Sequence, residues 1–195
     1  MRVAAGTEGD PWLVGEGIAA WTNGTEFVVG GTGMVPDLAK LAGKVTVQKL
    51  AIADATVTGA EKDAFKGFND VSLSLPDGWQ GELPKDDVWY GATGVELTAW
   101  PKAVKNVKVQ QRYPWNGLVD VDFDLTGEGD VKVTVQVTVD GKKLKNPTVT
   151  GETTFDLGAG GELKDLRLTW DAKADFGDTE KHEKIKVKLT VEKVD

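Results

Sequence analysis

Residues 47–78 read VQKLAIADATVTGAEKDAFKGFNDVSLSLPDG. The apolar pair Leu50-x-Ile52 near the start returns as Leu73-x-Leu75, 23 residues later. The same spaced pair stands upstream as Phe27-x-Val29 and downstream as Leu97-x-Ala99, at steps of 23 and 24 residues. Apolar side chains two apart line one face of a strand. A period in the 20–29 range marks a solenoid of leucine-rich-repeat size, with one short strand per turn. A single turn cannot bury its apolar face, whereas stacked turns share a continuous core.

The segments between these strands can reverse the chain. VPDLAKLAG (35–43) has Asp37 in its first turn, Leu38 and Leu41 three apart, and Gly43 as a stop. GAEKDAFKGF (59–68) repeats that idea with Ala64, Phe65 and Phe68, and Gly67 interrupts it. LPDGWQGELPKDDVW (75–89), rich in Pro and Gly, reads as irregular. Upstream, Asn23-Gly24 separates two apolar runs and predicts a hairpin, with Trp21 near Phe27.

TNGTEFVVGGTGMVPDLAKLAG (22–43), followed by residues 47–78, resembles the opening of BspA-type leucine-rich-repeat proteins. The resemblance covers roughly residues 12–101. It departs from the family where Phe68 replaces the usual Cys and where the third turn is degenerate. It implies a short, irregular solenoid in a bacterial surface or secreted protein that contacts other molecules through its repeats. Catalysis is not implied.

From Lys102 the pattern becomes strict alternation. Val131, Val133, Val135, Val137 and Val139 share one face, with Lys132, Thr134, Gln136 and Thr138 on the other. Asp140-Gly141 then signals a turn. Further strands are expected through Val107 and Val109; Val119, Val121, Phe123 and Leu125; Phe155 and Leu157; Leu163, Leu166, Leu168 and Trp170; and Ile185, Val187, Leu189 and Val191. Six or seven short strands with turn signals predict an immunoglobulin-like β-sandwich. QQRYPWNGLVDVDFDLTG (110–127) and LTWDAKADF (168–176) resemble a bacterial β-sandwich module. That module often follows BspA-type repeats or precedes formylglycine-generating-enzyme-like domains. The resemblance spans about 104–195 and brings no catalytic residues with it.

The expected fold is therefore mainly β. Residues 1–101 would form an N-terminal hairpin and a degenerate leucine-rich-repeat-like solenoid, and residues 102–195 an immunoglobulin-like sandwich packed on its last turn.

Composition narrows the function. The net charge is −8, and residues 1–101 hold 7 Lys/Arg against 14 Asp/Glu. That acidity argues against nucleic-acid partners and anionic membranes, and no stretch is apolar enough for membrane insertion. The N-terminus has no signal-peptide h-region. There is no cysteine, so disulfides, thiolate catalysis and Cys–zinc sites are excluded.

Asp120, Asp122 and Asp124 alternate in LVDVDFDL (118–125). A calcium ion needs six to eight oxygens from a tight loop, but i and i+4 on a strand lie ~13 Å apart. All three cannot hold one ion; a pair with Glu128 or Asp130 is the metal alternative to a solvated strand face. The seven tryptophans, at 12, 21, 79, 89, 100, 115 and 170, offer stacking platforms for sugars. Trp21 and Trp170 read as core, Trp79, Trp89 and Trp100 as a buried junction, and Trp115 in RYPWNG as a plug at the corner that starts the sandwich. The lone His182 lies in a charged run, and Ser72 and Ser74 lie in a repeat strand without nucleophile-elbow glycines.

No catalytic, cofactor-binding or metal residue is assigned, no cofactor is expected, and the protein is read as not an enzyme. The expected function is a non-catalytic structural, adhesion or protein-recognition segment of a larger bacterial surface or secreted protein. Its partners would be a protein or glycan ligand and neighbouring domains of a longer chain. The alternative is a carbohydrate-binding module using exposed Trp, with calcium assistance.

Overall fold

The computed structural model describes residues 5–114, 116–177 and 184–194. The chain is mainly β and divides into two compact units, Met1–Pro101 and Lys102–Asp195.

The first unit contains β1 (Trp12–Gly15), β2 (Ile18–Asn23), β3 (Glu26–Gly31), β4 (Gly33–Val35), the single-turn α1 (Ala39–Ala42), β5 (Lys49–Ile52), β6 (Val57–Ala60), β7 (Ser72–Ser74), β8 (Val88–Trp89), β9 (Ala92–Thr93) and β10 (Glu96–Leu97). Its main sheet runs β1-β2-β3-β5-β7-β10. The first three strands are antiparallel; β3, β5, β7 and β10 are parallel and generate a β-solenoid-like arrangement of about 3 turns. Phe27 pairs in register with Leu50, Leu50 with Leu73, and Leu73 with Leu97. The sequence period is thus the parallel register itself.

Phe27, Leu50 and Leu73 are buried on the inner face, beside Val29 and Ile52. Phe65, Phe68, Trp79 and Trp89 fill the interior behind them. Phe27 meets Phe68 at 5.0 Å between ring centroids, and Phe65 stacks on Trp89 at 4.9 Å. Successive turns are also tied by backbone bonds, with Leu38 N–H donating to Ala64 O and Phe65 N–H to Tyr90 O.

The turns between these strands are irregular. GAEKDAFKGF begins as β6 and then forms hydrogen-bonded turns without a helix, because Asp63 and Gly67 adopt positive φ. The chain still delivers Ala64, Phe65 and Phe68 to the core. The hairpin at Asn23 closes one residue later than expected, around Gly24-Thr25, with Asn23 paired to Glu26. Pairing also places Trp21 opposite Val28 on the outer face, since Ile18 and Ala20 take the inner positions. Trp21 is therefore not core and does not meet Phe27, on which Trp12 stacks at 6.3 Å.

The second unit contains β11 (Ala103–Gln111), β12 (Leu118–Gly127), β13 (Asp130–Val139), β14 (Lys142–Lys143), β15 (Val149–Thr150), β16 (Thr154–Asp156), β17 (Gly161–Asp171), the short α2 (Ala172–Phe176) and β18 (Ile185–Lys193). One antiparallel sheet runs β11-β12-β17-β15. In the other, β13 pairs with β18 on one side and with β14 and β16 on the other. The valines of β13 face a shared core with Val121, Phe123, Leu125, Leu168 and Trp170. The Asp140-Gly141 turn has φ of 48° and 82°, the positive pair that a two-residue hairpin of matching twist requires. RYPWNG is the β11–β12 hairpin connection, not the start of the unit; β11 precedes it.

Truncating a register residue should cost far more than truncating an exposed one. Leu50→Ala is expected to lower unfolding free energy by about 2–5 kcal/mol, and Leu13→Ala, at a residue 84% exposed, by under about 0.5 kcal/mol. Urea denaturation of both variants measures the difference.

Candidate functional site

The three aspartates occupy the outward positions of β12, because Val121, Phe123 and Leu125 turn inward. Each aspartate is held by a different set of donors. Asp120 accepts from Arg112 Nε at 3.1 Å and from Thr169 Oγ1 at 2.9 Å. Asp122 accepts from Arg167 through Nε at 2.6 Å and Nη2 at 3.0 Å. Asp124 accepts from Asn106 Nδ2 at 2.6 Å and from the Asp165 N–H at 3.0 Å. The row is thus a ladder of charge-assisted bonds across β11, β12 and β17. Asp130 lies in the other sheet, opposite Asp156. Among the described residues no group of three His, Cys, Asp or Glu is arranged to hold a metal ion.

Electrostatics agree with the geometry. The Arg112 guanidinium holds the Asp120 carboxyl below the usual aspartate range, with Thr169 assisting. The Asn106 amide and the Asp165 N–H do the same for Asp124. Lys105, facing Asp124 across the sheet, is pushed down by burial, against the pull of Glu162 and Asp124.

Asp124 also explains an oddity in the sequence. Register slips between Lys105 and Lys108 on β11, and between Phe123 and Leu125 where β12 meets β17. Each slip is a bulge, with Asn106 at φ 52° and Asp165 at φ 56°. The Leu163/Leu166 spacing of three, which blurs the start of that strand in the sequence, is one of these bulges. Val104 and Val107 are three apart for the same reason.

The LTWDAKADF segment is likewise structural. Asp171 caps α2 by accepting from Ala174 N–H at 2.8 Å. Asp175 accepts from Trp170 Nε1 at 2.6 Å and from Thr148 Oγ1 at 2.6 Å. Burial pushes Asp175 up, but the bonds from Thr148 and Trp170 outweigh it and leave the carboxyl below its usual range.

The tryptophans separate into core and surface. Trp79 and Trp89 lie in the first unit's own core, and both indole N–H groups donate to the Glu82 carbonyl, at 3.1 and 3.0 Å. Trp170 is fully buried in the second unit. Trp100 is half-buried. Trp115 and His182 fall outside the described residues. Ser72 lies on β7, where its hydroxyl donates to the Gln48 carbonyl at 3.3 Å; Ser74 lies on the same strand.

Trp21 is half-buried on the outer face of β2. Its ring lies across Gly30, where a Cβ would come within 2.9 Å of Cη2. Leu13 stands beside it in an apolar depression of about 450 Å³. The floor is Gly30-Gly31, and the far wall is Asp54, which accepts from Gly31 N–H at 2.9 Å. Gly31 has φ 118°, and a Cβ there would collide with Gly17 O at 2.0 Å. The sequence pattern hides this cleft, because an apolar Trp21 within a periodic apolar run reads as core. Paired glycines ending a strand were the available signal, since they mark a close approach of another group to the backbone.

Comparison with protein-family models, with curated proteins and with solved structures finds no match to this chain.

The Asp120 bond has a definite pH signature. A depressed carboxylate stabilises the fold above the unfolded value of about 3.9 and loses that contribution as pH falls through the lower folded value. Asp120→Asn should therefore be less stable than the parent at pH 7. The gap should narrow steadily between about pH 4 and pH 2, read from urea midpoints across that range.

Proposed function

We propose that this chain is a non-catalytic recognition segment whose ligand contact is the Trp21 cleft on the N-terminal hairpin. The observation that carries this reading is the exposed Leu13 beside a Trp ring laid on a glycine floor. An apolar side chain 84% exposed next to an aromatic ring gains most by being covered. The glycines keep the floor flat, and bonds from Gly31 N–H to Asp54 and from Thr56 Oγ1 to Gly31 O hold it rigid before any ligand arrives. In the second unit, the conspicuous carboxylates already serve as acceptors for arginine, asparagine and backbone donors, which supports a structural role for them.

The wider setting proposed here, a bacterial surface or secreted multidomain protein with BspA-type repeats, is supported by the sequence resemblance. The immunoglobulin-like reading of the second unit is supported by strand order. An A-B-E-D sheet facing a C-F pair corresponds to β11-β12-β17-β15 facing β13-β18.

Carbohydrate binding is a second reading, favoured by one feature. Asp54 places a carboxylate at the edge of the Trp21 depression. An aromatic face with an adjacent acceptor suits a sugar's apolar face and its hydroxyls.

Trp21→Ala tests both readings. It should leave the unfolding transition nearly intact, because the ring lies outside the core, and should abolish binding to whichever members of a glycan and secreted-protein array the parent retains. Glycan hits favour the second reading and protein hits the first. Binding undiminished in the variant, or a parent that retains nothing on the array, overturns the cleft as a contact site.

A further inference from the structure

The second unit has an open side that the Trp21 reading does not use. β11 and β18 are edge strands of the two sheets, and their Cα atoms come within 8 Å over part of their length. At one end the seam is closed: Val104 on β11, paired with the buried Leu125, packs on the core, and Leu189 on β18 is buried. At the other end it is not. Val109 pairs with the buried Val121, and Ile185 with the buried Val139, so both face the core side of their sheets. Yet Val107, Val109 and Ile185 are 42%, 47% and 45% exposed. Core-facing valine and isoleucine left half in water on two facing edges mark a place where the sandwich lacks cover.

The backbone is open at the same place. The Lys184 carbonyl and the Val194 N–H point toward β13. Since main-chain groups alternate sides along a strand, those of Ile185 and Val187 point away from it. Among the described residues no strand pairs on that outer edge.

Charge selects the occupant. Lys186 and Lys188 project from the outer face of β18, and their partners across β13 are Thr138 and Gln136. Among the described residues no carboxylate pairs with either lysine. A second copy adding its own β18 would set lysine against lysine, which destabilises a pair and is a common guard on sheet edges. A strand with acidic residues two apart, alternating with apolar ones, would pair with both lysines and cover the exposed core positions at once.

We propose that the β11–β18 seam is a docking site for an extended acidic segment of a partner protein. The segment adds to the free edge of β18, its apolar side chains cover Val107, Val109 and Ile185, and its carboxylates face Lys186 and Lys188. This is strand addition, in which main-chain bonds supply affinity and alternate side chains supply specificity.

The test uses the full chain and two synthetic peptides, one alternating valine with aspartate and one alternating valine with lysine. The aspartate peptide should bind and should slow amide hydrogen exchange at Ile185 and Val187; the lysine peptide should not. The doubly substituted Lys186→Glu, Lys188→Glu chain changes only solvent-facing side chains. It should bind the aspartate peptide about tenfold more weakly and accept the lysine peptide instead. Failure of the aspartate peptide to bind at millimolar concentration, or binding unchanged by the charge reversal, overturns the proposal. So does protection of Ile185 and Val187 in a peptide-free dimer, which would assign the seam to a second copy.

Discussion

Asp124 accepts hydrogen bonds from both strands that flank it, and the first sheet of the second unit is shaped around that fact. Antiparallel strands of strict period two would carry all three aspartates outward with nothing in particular opposite them. Here β11 and β17 each insert one extra residue beside Asp124. The bulge at Asn106 brings in a side-chain amide, and the bulge at Asp165 brings in a backbone N–H. An extra residue would normally reverse the facing of everything beyond it. Each bulge is matched by an apolar spacing of three, Val104/Val107 on β11 and Leu163/Leu166 on β17, so the apolar side chains on either side of the slip stay on the core face. Arg112 and Arg167 then continue the ladder at Asp120 and Asp122.

The first unit solves the opposite problem. Its strands are only two to four residues long over the last three solenoid positions, too short to hold together by backbone pairing alone. Cohesion comes from Phe27, Leu50 and Leu73 stacked in register and from large aromatics behind them. The degenerate third stretch lacks repeat spacing but keeps a substitute. Trp79 and Trp89 both donate to the Glu82 carbonyl, and the Glu82 N–H donates to the Tyr90 hydroxyl. Three aromatic side chains organise the loop that sequence periodicity leaves irregular.

These two constructions show what was legible beforehand. The 23-residue step was readable because parallel register preserves spacing, and the alternation of β13 because it has no bulge. The spacing at Leu163/Leu166 was not readable, since a bulge depends on a hydrogen-bond partner from another strand, 41 residues away in sequence. Trp21 was misplaced for a related reason. Ala20 and Trp21 are both apolar, and only pairing with β3 decides which of them turns inward. The exposure of Val107 and Ile185 was equally hidden, because alternation predicts which face a residue takes but not whether anything covers that face.

The first sheet of the second unit depends on the aspartate row acting as a structural ladder and not as a cation site. Carbon-detected NMR titration of the aspartate side-chain carboxyls, with and without excess calcium, tests this directly. Asp120 and Asp124 should titrate below the ordinary value of about 3.9, and their resonances at neutral pH should not move when calcium is added. Ordinary titration of both groups, or calcium-dependent shifts confined to Asp120, Asp122 and Asp124, would contradict it.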